Sequence, residues 1–164
     1  MCIRDRDIDF AVALDLNEFA ELERRLRRDG WIQFANRELA LFYADQGIKL
    51  PEALELARRE LEVRHDIYTW DALAWVLFKN GRFQQAAEAI NKALALHTND
   101  SLLLFHAGMI YHSLTEDSET EGFLGRALRT NPNFHVLNAE TARRTLEEIA
   151  PSSNRDLRSS NAQR

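Results

Sequence analysis

The sequence predicts an all-α protein built as a solenoid of antiparallel helix pairs. The first observation is a repeat of 34 residues, which places three segments in one register. The matched positions are Leu39, Ala40 and Tyr43; Leu73, Ala74 and Leu77; and Ala107, Gly108 and Tyr111. The second observation is helical spacing within a repeat, because Trp70, Leu73, Ala74 and Leu77 follow i, i+3, i+4, i+7.

A second helix follows the first after a short break. Asn80-Gly81 interrupts the first helical pattern, and "FQQAAEAINKALAL" then resumes it with Ala86, Ile90 and Ala93 on one face. Small residues at Ala74, Ala86 and Ala93 let two antiparallel helices approach closely. A single pair cannot bury its apolar face alone, so we expect neighbouring pairs to stack.

The pattern divides residues 31–150 into three repeats and a terminal helix. The repeats are expected at about 33–66, 67–100 and 101–134, and the first has its second helix shifted by one residue after "GIKLP". Ala142, Leu146 and Ile149 predict a capping helix that ends before Pro151. Residues 151–164 have the composition of a disordered tail.

The beginning of the chain has two distinct parts. Residues 1–6, "MCIRDR", are what ATG-TGT-ATA-AGA-GAC-AGR encodes, and this resembles the transposase adapter of sequencing libraries. We expect them to be an artefact of such an adapter. Residues 7–30 are predicted to form the trailing helix of a truncated upstream repeat, which stops at Asp29-Gly30. An uncovered end of this kind is expected to fray or to self-associate.

Composition excludes several classes of function. Apolar runs are short and interrupted by charge, so no membrane insertion is expected. The net charge of −5 becomes −6 without residues 1–6, since Arg4, Arg6 and Asp5 together carry +1, and an acidic domain disfavours nucleic acid. Cys2 is the only cysteine. The chain is therefore expected to be soluble, either cytoplasmic or exported, with no compartment indicated.

The pattern W-x-x-L-[GA]-x-x-[YL] followed by A-x-x-x-[FI] resembles the tetratricopeptide repeat. The middle segment, 67–100, is the specific match, and the third segment lacks the glycine between its helices. "LLFHAGMI" and "NPNF" also resemble terminal segments of bacterial repeat proteins. The resemblance implies a right-handed superhelix whose concave groove holds a peptide or partner protein.

Beside the core face of each leading helix runs a second, aromatic-rich stripe. By resemblance it would line the groove, and the predicted partner-binding residues are Arg37, Leu41, Tyr68, Asp71, Trp75, Phe78, Lys79, Leu102, Phe105, Met109 and His112. The alternative is that neighbouring helices of the same solenoid cover this stripe. Asp71 and Trp75 stand where the family's carboxylate clamp carries Lys and Asn, so chaperone-tail binding is disfavoured.

No pattern in the sequence indicates catalysis. It contains no HExxH, phosphate loop or G-x-S-x-G, and His106 and His112 lie on different faces of one helix. No enzyme activity, metal or cofactor is therefore expected. The predicted function is a scaffold or adaptor that binds protein. The alternative is a non-catalytic regulatory or substrate-presenting segment of a larger enzyme whose catalytic domain lies upstream.

Overall fold

A computed structural model describes residues 36–150 together with Glu21 and Arg24. Within residues 36–150 the regular structure is entirely α-helical. The seven helices are α1 (Asn36–Gln46), α2 (Leu50–Val63), α3 (Ile67–Lys79), α4 (Phe83–Leu94), α5 (Ser101–Ser113), α6 (Asp117–Thr130) and α7 (Val136–Ile149). No helix in this range is long and apolar enough to cross a membrane.

Several predictions fall on other parts of the chain. The adapter-like residues 1–6, the disordered tail at 151–164 and nearly all of the predicted helix over 7–30 lie outside the described residues. Glu21 and Arg24 are helical and form an ion pair at 2.9 Å.

The helices pack as consecutive antiparallel pairs, α1 with α2, α3 with α4 and α5 with α6. The first helices of the pairs also pack against one another in a row, α1 on α3, α3 on α5 and α5 on α7. Each second helix packs on its own partner and on the first helix of the next pair. The row of first helices therefore forms the inner layer of the solenoid, and α7 covers the last pair.

Helix starts and turns recur in the predicted register. The Asp66 carboxylate accepts the Thr69 N–H and caps α3, and Asp100 caps α5 in the same way. The turns inside the pairs contain Gly47, Gly81 and Thr115, all with positive φ. Thr115, at φ 60°, thus adopts the conformation for which the other two turns use glycine.

The one-residue shift of the first repeat has a local cause. Lys49 lies just before α2 with φ 46°, which absorbs one extra residue in the left-handed region. The buried positions of α2 consequently match those of α4 at a spacing one residue shorter than the repeat: Ala53, Leu54, Leu56, Ala57 and Glu60 correspond to Ala86, Ala87, Ala89, Ile90 and Ala93. α6 keeps the full spacing, with Thr120, Leu124 and Ala127 buried.

The helices of a pair approach closely through small residues. Ala74, Ala86, Ala93, Ala107 and Ala127 are fully buried. Gly108 is the tightest contact, because a Cβ added there would lie 2.4 Å from Cδ2 of Leu124 on the partner helix. Only glycine fits this crossing of α5 and α6 without a shift of the neighbour.

Candidate functional site

The inner layer contains all eleven predicted binding residues, but their exposure differs. Tyr68 and Leu102 are exposed, at 48% and 37%. Six are half-buried: Arg37, Leu41, Phe78, Lys79, Met109 and His112. Three are buried: Asp71, Trp75 and Phe105, at 6%, 4% and 2%.

The buried three require a correction of the prediction that they lie open in a groove. Trp75 of α3 stacks on His106 of α5, with ring centroids 4.1 Å apart, and on Phe78 at 4.8 Å. Its indole N–H donates to Asp45 Oδ1 of α1 at 2.7 Å. The indole of α3 thus lies between α1 and α5. These three side chains are covered by neighbouring helices, as the alternative interpretation expected.

A polar contact completes this cluster. Asp71 Oδ1 lies 2.9 Å from Nδ1 of His106, and both side chains are almost fully buried. The pair satisfies two polar groups that would otherwise be costly to bury. Asp71 therefore joins α3 to α5.

The exposed residues of the inner layer form a regular row. Tyr68 and Leu102 are each the second residue of their helix, Val136 is the first residue of α7, and the three are separated by one repeat of 34 residues. All three are apolar and exposed, Val136 at 89%. Val136 was not among the predicted residues, although one further step along the repeat from Leu102 identifies it. We call Tyr68, Leu102 and Val136 the rim row.

Charged side chains lie beside the rim row and beside the stacked rings of Trp75, Phe78 and His106. Lys79 Nζ is 4.9 Å from the centroid of the Trp75 ring, a cation–π contact on the outside of the cluster. Partial burial acts to raise the pKa of Asp66. The hydrogen bonds from the Thr69 amide and hydroxyl, together with the charge of Arg37, outweigh burial and hold this pKa below its ordinary value.

The surroundings of the histidines differ from one to the next. His135 Nδ1 accepts the Leu137 and Asn138 N–H groups and caps α7, a role that the sequence did not reveal. His112 Nδ1 is buried without a hydrogen-bond partner among the described residues. Within residues 36–150, no three His, Cys, Asp or Glu side chains are placed to hold one metal ion.

The chain is similar to known repeat proteins in part of its sequence and in its fold. The family model for the tetratricopeptide repeat matches residues 67–100, which comprise α3, α4 and the loop after them. A search of curated proteins finds no match. The NMR structure of the first tetratricopeptide repeat domain of the human RPAP3 protein is similar, with a TM-score of 0.59 and 20% sequence identity. The similarity covers 71% of this chain and 90% of that one.

The family match and the structural similarity agree with the packing of the helix pairs. The recurring Asp caps, the positive-φ turns and the inner layer of first helices all follow the repeat. Residues 67–100 therefore match the tetratricopeptide repeat, and residues 36–150 have the fold of an all-α solenoid of tetratricopeptide-like helix pairs.

Proposed function

We propose that this chain is a protein-binding scaffold that holds a peptide or partner protein against its inner layer, along the rim row. The observation that carries this proposal is the exposure of Tyr68, Leu102 and Val136 at one register of three successive inner helices. Aromatic and aliphatic side chains that lose contact with water on binding supply most of the affinity of such interfaces.

The rest of the inner layer suits a supporting role. Arg37, Lys79 and His112 are half-buried polar groups on three successive first helices, where they orient a ligand more than they supply affinity. Trp75 and Phe105 hold the helices in place below the surface. The predicted face is thus retained, but the side chains expected to contact the partner are those of the rim row and not the buried aromatics.

The test begins with affinity capture and mass spectrometry to identify a partner. The dissociation constant of the purified partner is then measured for wild type and for Tyr68→Ser/Leu102→Ser. We expect about tenfold weaker binding or more, with an unchanged melting temperature.

A matched control separates recognition from general loss of surface hydrophobicity. Val63, the last residue of α2, and Leu96, two residues after α4, are 78% and 77% exposed and lie outside the first helices. Val63→Ser/Leu96→Ser should leave the dissociation constant unchanged. Equal affinity of the rim-row variant and wild type would overturn the proposal.

A further inference from the structure

A cavity of about 330 Å³ lies between the end of α4, the loop before α5 and the middle of α6. Leu94 and Phe123 contribute apolar walls. Tyr111 backs this wall, since its ring stacks on Phe123 at 5.5 Å and its hydroxyl donates to Asn91 Oδ1 at 2.8 Å. The volume is at the lower end of the range for small-ligand sites.

The polar side chains of the lining are Asn91, His97, Thr98 and Arg126, and Arg126 supplies a fixed positive charge. Arg126 contributes a guanidinium with five N–H groups, and its one hydrogen bond within the described residues is to Asn99 Oδ1 at 3.1 Å. Asn91 uses its oxygen for Tyr111, so its amide N–H₂ is the group left for a ligand. None of the seven lining residues, all of them described, is acidic.

The preceding repeat provides an internal comparison. Lys92 stands one repeat before Arg126, and its Nζ lies 4.1 Å from the centroid of the Trp70 ring. The residue one repeat after Trp70 is Leu104, which offers no aromatic face. The cation of the later repeat therefore lacks the internal partner that occupies Lys92.

Two further differences distinguish this junction of α4 and α6 from the equivalent junction of α2 and α4. Phe123 replaces Ala89 and gives the wall an aromatic surface. Ala95 replaces Glu62, at the shorter spacing of α2, and so removes a carboxylate. The carbonyls of Lys92 and Leu94 at the end of α4 accept the N–H groups of Ala95 and His97.

We propose that this cavity binds a carboxylate with a compact apolar body, its oxygens on the Arg126 guanidinium and the Asn91 amide and its body against Phe123 and Leu94. Guanidinium groups bind carboxylates in a bidentate geometry. This site is separate from the rim row and independent of the function proposed for it. The ligand is a free organic acid or the C-terminal carboxylate of a peptide that ends in an apolar residue.

The test is titration of the full-length ¹⁵N-labelled chain with 3-phenylpropionate, followed by NMR. We expect saturable shifts of the Asn91 side-chain amide and of the backbone around residues 94–98. The neutral analogue 3-phenylpropionamide should bind at least tenfold more weakly. Equal binding of acid and amide, or no saturable shift, would overturn the proposal.

Two variants on α6 test the role of the charge. Arg126→Gln should weaken 3-phenylpropionate binding about tenfold, the order of one charge-assisted contact. Arg129→Gln makes the same charge change at an exposed position one turn away and should bind as wild type does. An equal loss of affinity in both variants would show that binding depends only on net charge and would refute the site.

A peptide arm distinguishes the two sources of the carboxylate. A pentapeptide ending in phenylalanine is compared with its C-terminally amidated form and with 3-phenylpropionate. Tighter binding of the free-acid peptide than of 3-phenylpropionate assigns the site to chain termini. Equal or weaker binding, with the acid still preferred over the amide, assigns it to small organic acids. Both results support the carboxylate site.

Discussion

Trp75 of α3 donates its indole N–H to Asp45 of α1 and stacks its ring on His106 of α5. One side chain thereby contacts the first helices of all three pairs. It is also 4% exposed, so its removal would leave a cavity in the inner layer and an unpaired carboxylate at its edge.

We therefore expect Trp75→Ala to lower the free energy of unfolding by about 3–5 kcal/mol, the usual cost of a buried aromatic. Chemical denaturation followed by circular dichroism measures this. Tyr68→Ala, at a 48% exposed position of the same helix, should change it by less than about 1 kcal/mol. Similar stability of the two variants would contradict the packing of Trp75 described above.

Two glycines provide a paired test of helix packing. Gly108→Ala places a Cβ 2.4 Å from Leu124, which is fully buried, so we expect a loss of about 1–3 kcal/mol. Gly122 of α6 has no atom within 4 Å of an added Cβ. Gly122→Ala should therefore raise stability by about 0.5–1 kcal/mol through helix propensity. Thermal melts that move in the same direction for both would be inconsistent with this packing.

The turn between α5 and α6 carries backbone strain. Thr115 is β-branched and has φ 60°, a region that favours glycine. Thr115→Gly is expected to stabilise the chain by about 0.5–1 kcal/mol. An added Cβ at Gly81 meets no atom within 4 Å, but Gly81→Thr imposes the same backbone strain at φ 72°, so it should destabilise. Urea midpoints of the two variants should move in opposite directions.

The cap of α3 predicts a pH dependence. The pKa of Asp66 is lowered in the folded chain, so its stabilising effect is present above the unfolded pKa of about 3.9 and is lost as pH falls through the folded value. Asp66→Ala should cost about 1 kcal/mol at pH 7. Asp66→Asn keeps an acceptor without a titrating charge. The advantage of wild type over Asn should begin to fall below about pH 4, and a constant difference down to pH 3 would refute the ionic contribution.

The helix register was predictable because it depends on spacing within short segments. Leu73, Ala74 and Leu77 lie on one face of their helix, and the equivalent residues of the next repeat lie on the same face of theirs. The exposure of the second stripe was not predictable in this way. Trp75 is buried by Asp45 and His106, each about one repeat away in sequence, and only the stacking of the pairs brings them together.

Other features depend on departures from the repeat. Lys49 and Thr115 adopt positive φ where residue type argues against it, because the turns are fixed by the helices on either side. The cavity beside Arg126 arises from substitutions at equivalent positions, and its members are spread over α4, α6 and a loop. The repeat pattern shows the positions at which the pairs agree, whereas this cavity depends on positions at which they differ.

The position of Trp75 also has a consequence for how the chain unfolds. In a solenoid, each pair is stabilised by its own contacts and by the interface with its neighbours, so end pairs can melt first. Here the interface of α1 with α3 and that of α3 with α5 share a single indole ring. Loss of structure at either interface releases this ring and weakens the other, which favours cooperative melting of the three pairs in one transition over stepwise fraying.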